Sequence, residues 1–101
     1  MEDLKELSSI LKVLSNKHRL RILQFLKNPQ KYLDADSVVA GKKVCVGHIE
    51  KMSDLSQSTV SHYLTQLHKV DLVTLERKGQ LTLYAYNGDR IRELSKLLES
   101  L

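Results

Sequence analysis

Residues 55–69 read LSQSTVSHYLTQLHK. Val60, Leu64 and Leu67 recur at steps of four and three, which places them on one face of a helix, and Ser56 stands where an N-cap belongs. With that face docked on a core, the opposite face presents Ser58, His62, Thr65 and Lys69, flanked by Thr59, Ser61 and Gln66. An ordinary solvated helix carries more Glu and Lys than this one. Hydroxyl, amide and imidazole groups of this size hydrogen-bond to base edges and phosphates when a helix lies in a DNA major groove. A Ser56 cap also leaves amides at the helix start, aimed where a phosphate sits.

Upstream, Ile49 and Met52 fall one helical turn apart and Asp54 is a turn residue, so a helix, a tight turn and a second helix follow one another. Downstream, Val73 and Leu75 alternate with polar residues, Lys78-Gly79 supplies a turn, and Leu81, Leu83 and Ala85 resume the two-residue period of a hairpin. Its tip, Glu76-Arg77-Lys78-Gly79-Gln80, carries Arg77 and Lys78 as candidate contacts to DNA backbone or minor groove. A charged turn is normal in any hairpin. The polar helix immediately before this one gives its charge a meaning.

Further out, Asn16 is a plausible N-cap for a helix carrying Leu20, Ile22, Leu23, Phe25 and Leu26, and Pro29 should end it. From Gln30 to Lys43 no period survives, and the segment reads as a long connection of unspecified conformation. Val44 to Val46 form a short strand in this reading. The two ends of the chain are alike: Leu4, Leu7, Leu11 and Leu14, widened by Ile10, mirror Ile91, Leu94, Leu98 and Leu101, widened by Leu97. A domain this small buries only part of two such stripes, so Leu4, Leu7, Leu11, Ile91, Leu94 and Leu98 are expected to meet a second copy of the chain. The plainer alternative is that both helices cap the protomer's own core. The expected architecture is mainly α with a small β-hairpin, in the order α-α-β-α-α-β-β-α, as one winged helix-turn-helix domain over residues 1–101.

Composition narrows the function classes. The 16 Lys+Arg exceed the 12 Asp+Glu, for a formal charge of +4 that a dimer doubles, which favours phosphate-bearing partners such as double-stranded DNA. No apolar run approaches the roughly 20 residues needed to cross a bilayer. The start MEDLKELSS lacks a basic segment followed by an apolar one, so the cytoplasm is the expected compartment. Asp34 and Asp36 read as a surface pair in a loop, and no nucleophile, base and orienting residue assemble from spacing, so no enzyme is expected.

The stretch LSQSTVSHYL, the preceding NKHRLRIL, the following LV and the hairpin ending in LYAYN resemble the ArsR/SmtB family of winged-helix repressors, from about Leu11 to Tyr86. The resemblance implies a cytoplasmic homodimer, joined through the terminal helices, that binds an imperfect palindrome and leaves it when an inducer arrives. It also implies that Gln57, Ser58, Thr59, Ser61 and His62 lie at the DNA surface. The family usually has Gly where this chain has Asp54 and Asp71, two turn positions that call for positive φ and that aspartate tolerates better than most residues.

Many members of that family bind metals through a segment resembling ELCVCDL, which aligns with KVCVGHI at residues 43–49. Only Cys45 remains of the two cysteines, and Cys45 with His48 is too small a set for a thiophilic ion. The last helix offers Asp89, Glu93 and Glu99 without a histidine, so no metal or other cofactor is expected. His18, His62 and His68 read as packing, surface or DNA-contact residues. Cys45 is a candidate redox sensor beside Lys42 and Lys43, with Arg19 or Arg21 as further neighbours, against the simpler reading of a small packed residue. The inducer is unknown. A second functional reading, a winged-helix dimer whose polar helix meets a protein partner, stays open at this stage.

Overall fold

In a computed structural model, residues 2–32, 38–39 and 42–101 are described, and the order of elements is that expected, with two additions, a 3-10 turn and a short strand. Helix α1 (Glu2–Leu14) is followed by α2 (Lys17–Lys27), a 3-10 turn at Pro29–Lys31, strands β1 (Val38–Val39) and β2 (Lys43–Cys45), and helices α3 (Val46–Ser53) and α4 (Gln57–Lys69). Strands β3 (Val73–Lys78) and β4 (Leu81–Tyr86) form the hairpin, and α5 (Gly88–Glu99) closes the chain. Asp34, Asp36 and Gly41 lie outside the described residues.

Two boundaries differ from the sequence reading. The aperiodic segment contributes β1, which pairs antiparallel with β2 in the register Val38 to Val44 and Val39 to Lys43. The short strand ends at Cys45, and Val46 opens α3 instead of continuing it. The sheet therefore runs β1-β2-β4-β3, with Val44 opposite Tyr84.

Each helix starts and stops for a local reason. The Asn16 carboxamide accepts from the amides of His18 (2.9 Å) and Arg19 (3.2 Å), satisfying two of the free donors at the start of α2. The same helix stops before Pro29. At the end of α4, Leu72 N–H donates to the Leu67 carbonyl and Asp71 N–H to that of His68, both at 3.0 Å, the paired bonds of a Schellman motif. Asp71 occupies its left-handed position at φ 62°, and Asp54 ends α3 at φ 61°, so both aspartates sit where positive φ was anticipated.

The core gathers Ile22, Leu23, Phe25 and Leu26 of α2, Val44 of β2, Ile49 of α3, and Val60, Leu64 and Leu67 of α4. Leu72 and Val73 extend it into the wing. Leu20, expected to share that burial, is about half exposed. The terminal stripes divide in a way periodicity alone does not show. Leu7 and Leu94 are 5% and 6% exposed and pack inside the protomer, whereas Leu4, Leu11 and Leu98 stand 54%, 41% and 43% exposed. Ile91 is half-buried against the core. An amphipathic stripe is wider than one contact, so its inner edge faces the protomer and its outer edge does not.

The left-handed position at Asp71 makes a stability prediction. Asp71→Gly removes the Cβ strain but adds unfolded-state entropy, and should raise stability by about 0.5 kcal/mol, while Asp71→Val should lower it by about 1–2 kcal/mol. Urea unfolding midpoints at one fixed chain concentration measure both.

Candidate nucleic-acid interface

Helix α4 is oriented by what it buries. Val60, Leu64 and Leu67 are fully buried, each contributing roughly 1.5–3 kcal/mol, and α4 carries no carboxylate at all. Gln57, Ser58, Ser61, His62 and Thr65 are exposed, together with Ser56 at the cap, while Thr59 is half-buried. The Ser56 hydroxyl accepts from Thr59 N–H at 3.3 Å and donates to Thr59 Oγ1 at 2.8 Å. Thr65 turns its hydroxyl onto the Ser61 carbonyl at 2.9 Å, which leaves its oxygen lone pairs and methyl outward. The outward surface is thus a set of short hydrogen-bonding groups, with Lys69 and His68 exposed at the C-terminal end.

Gln66 behaves differently from its neighbours. It is half-buried, and its carboxamide oxygen accepts from Arg19 Nη1 at 2.7 Å, so it is tied to α2 rather than offered outward. The sequence reading assigned Gln66 to the DNA face and did not single out Arg19 for α4. A contact between residues 47 positions apart leaves no periodic trace in either helix. Tyr63, also unremarked, lies beside this pair with the Arg19 guanidinium 5.2 Å from its ring centroid.

The C-terminal end of α4 is held from the other side. Arg90 Nε donates to the Val70 carbonyl at 2.9 Å, and its Nη1 donates to Glu6 at 2.7 Å and Glu93 at 2.8 Å. The hydrogen bond Arg90 donates to Glu6, then that to Glu93, raises the guanidinium pKa above its ordinary value. Asn87 Nδ2 donates to the adjacent Asp71 carbonyl at 2.8 Å.

The hairpin extends beyond the core with all of Glu76 to Leu81 exposed. Strands β3 and β4 pair through Lys78 and Leu81, so the connecting residues are Gly79 and Gln80, one position later than the Lys78-Gly79 turn expected. Gly79 has φ 62° at the first loop position, which a II′ hairpin reserves for glycine. Glu76 is bound by Lys43, whose hydrogen bond and charge lower the carboxyl pKa below its usual value. Among the described residues Arg77 and Lys78 have no carboxylate partner, and they carry the positive charge of the tip.

Cys45 is half-buried, and its backbone lies opposite Leu83 in the sheet at the start of α3. His48 is half-buried in the first turn of that helix. Among the described residues no three His, Cys, Asp or Glu side chains converge on a point where a metal ion would sit. The Arg19 guanidinium, proposed as a neighbour of the thiol, is occupied by α1 and α4 instead.

Comparison with known proteins matches residues 37–74, which contain α3 and α4, to the family described as bacterial regulatory protein, arsR family. The chain is 35% identical over 97 residues to the uncharacterized HTH-type transcriptional regulator YbzH of Bacillus subtilis, covering 90% of this chain and 93% of that one. It is 30% identical over 95 residues to an arsenical resistance operon repressor of Staphylococcus xylosus, covering 94% and 79%. Among solved structures it superposes on the homodimeric winged helix-turn-helix DNA-binding domain Mb0332 of Mycobacterium bovis, with a TM-score of 0.68 and 25% identity, covering 96% and 78%.

The Ser56 cap is testable without DNA. Ser56→Ala should lower stability by about 1 kcal/mol, because Thr59 N–H loses its acceptor at a partly solvated helix start. Thermal or urea unfolding followed by circular dichroism reads the loss, and an unchanged midpoint would refute the cap's contribution.

Proposed function

We infer the function of this chain from its family: it belongs to the arsR family of bacterial regulatory proteins, and it is a winged-helix DNA-binding transcriptional regulator. In this reading it is a repressor that binds a palindromic operator as a homodimer and is released by a signal whose identity is unknown. The observation that carries the DNA-binding reading is α4 itself. Val60, Leu64 and Leu67 are fully buried, and the face left outside is acid-free, carries Lys69 at its C-terminal end, and is otherwise made of short groups that match base edges and phosphates.

The roles follow from position. Ser56 and the first amides of α4 suit a phosphate, Gln57, Ser58, Ser61, His62 and Thr65 face the groove floor or its walls, and Thr59 supports the helix start. Arg77 and Lys78 on the hairpin add sequence-independent contacts to backbone. The dimer reading draws on Leu4, Leu11 and Leu101, which line one open apolar groove, with Leu98 exposed on α5. The homodimeric state of the Mycobacterium bovis domain supports a dimer here too. Ile91, Leu7 and Leu94 then back the interface from inside the protomer.

The relatives are transcriptional regulators rather than enzymes, and we read this chain likewise. Among the described residues no helix is long and apolar enough to cross a membrane, and a regulator of this kind meets its operator in the cytoplasm. None of the relatives favours a protein-docking role for the polar helix. Cys45 stays a candidate thiol for oxidation, set apart from α4.

Affinity for DNA should fall by orders of magnitude between about 50 and 200 mM salt if six or more phosphates are neutralised. Arg77→Ala should weaken binding to all sequences and reduce the salt slope by about one for each phosphate contact removed. His62→Ala and Gln57→Ala should in addition relax discrimination between operator and random DNA, each base contact being worth about 1–3 kcal/mol. Titrations of labelled operator and random duplex at several salt concentrations separate the two effects. Equal losses on both duplexes for all three variants would remove the base-reading roles.

A further inference from the structure

Arg19 lies in the first turn of α2, yet its guanidinium binds two other helices. Nε donates to the Val13 carbonyl, Nη2 reaches the Lys12 carbonyl at 3.5 Å, and Nη1 donates to Gln66 Oε1 on α4 at 2.7 Å. Lys12 and Val13 belong to the last turn of α1, whose carbonyls have no partner within the helix. The Tyr63 ring on α4 lies 5.2 Å from the guanidinium carbon, and the His18 ring stacks on Tyr63 with planes 11° apart. One rigid fork therefore joins the end of the helix that carries exposed leucines to the last turn of the helix that carries the outward polar face.

The buried leucines of α4 prevent it from rolling about its own axis, but they resist a change of tilt only weakly, because a tilted helix still buries the same face. A directed hydrogen bond at Gln66, in the last turn and away from the helix centre, resists tilt because it acts at a distance from the pivot. Only a planar donor with several fixed N–H vectors meets two α1 carbonyls and a Gln66 oxygen together, whereas a lysine ammonium is a point charge on a flexible stem. We propose that Arg19, acting through Gln66, is the positioning residue that sets the angle of α4 relative to α1, and thereby the separation of the two α4 helices in the dimer and the half-site spacing the protein accepts.

This rests on the reading of the chain as a DNA-binding dimer, and two measurements keep the two ideas apart. The first uses a duplex selected from random DNA by the wild-type protein, together with versions whose half-sites are moved by two base pairs. Two-fold recognition ties half-site spacing to protein geometry. The wild-type chain should prefer the selected spacing by about tenfold or more, since a displaced half-site loses its base contacts. Arg19→Lys and Gln66→Met should bring that ratio down to about twofold. Gln66→Glu keeps an acceptor for Arg19 and should retain the wild-type ratio, even if its charge weakens binding to every duplex.

The second measurement needs neither DNA nor a dimer. Spin labels at Ser9→Cys on α1 and Ser61→Cys on α4, in a Cys45→Ser background diluted into unlabelled chain, report the α1–α4 distance distribution within one protomer by pulsed electron resonance. It should be narrow with Arg19 and Gln66 present, and with Gln66→Glu, and broad in Arg19→Lys and Gln66→Met. An unchanged distribution in those two variants overturns the proposal, whatever the DNA results. A broadened distribution with an unchanged spacing ratio overturns the claim that Arg19 governs half-site spacing. A variant that only melts at a lower temperature, with ratio and distribution both intact, assigns Arg19 to general stability and overturns the proposal too. Wild-type chain that binds no duplex refutes the DNA reading, and the distance distribution then decides the geometric claim alone.

Discussion

The structure depends on the burial of Val60, Leu64 and Leu67 along one side of α4. Turning that helix by a single residue, about 100°, would carry a leucine into water and draw a hydroxyl or imidazole into the core. Its polar face consequently points outward because of what lies behind it, not because of any property of the polar residues themselves. The two ends of the helix agree with this orientation. Ser56 caps the start, and the Schellman bonds at Asp71 bring buried Leu72 back over Leu67, so the chain enters the wing already anchored.

Burial fixes rotation, and two arginines fix the remaining freedom. Arg19 holds Gln66, in the last turn of α4, to the end of α1, and Arg90 holds the residue after α4 to both Glu6 on α1 and Glu93 on α5. Both guanidiniums work through backbone carbonyls as well as side chains, which are positions no substitution removes. The surface proposed to meet DNA is in this way referred to the terminal helices rather than to the sheet. The wing is independent of both struts, since its shape comes from the β3–β4 ladder and the glycine at its tip.

Elements with a period or a local cap signal were legible from the sequence: all five helices, the hairpin, the Asn16 and Ser56 caps and the stop at Pro29, while the positive φ of Asp54 and Asp71 was implied by the family resemblance. What escaped has a common physical character. A two-residue strand such as β1 has no period to detect and exists only because β2 accepts it as a neighbour. The Val46 boundary was missed because Val-Cys-Val is as good a strand as it is a helix start. The role of Gln66 could not be read because its side chain is of the same kind as those around it, and its partner lies on another helix. The division of the terminal stripes into Leu7 and Leu94 inside and Leu4, Leu11 and Leu98 outside likewise depends on how α1 and α5 cross, which no single-helix pattern records.

The exposed leucines and the small DNA surface of one protomer are best understood together. A single α4 with one basic hairpin tip offers few phosphate contacts, and the affinity of such a surface falls steeply with salt. Joining two copies through α1 and α5 places a second α4 at high effective concentration near the same duplex, so the second half-site binds as an intramolecular event. In the proposed dimer, a symmetric contact through the exposed Leu4, Leu11, Leu98 and Leu101 would be the one that makes DNA binding strong enough to be selective. A regulator built this way needs no separate switch inside α4. A change in how the terminal helices meet would reach the DNA surface through the carbonyls of Lys12, Val13 and Val70, which the two arginines already grip.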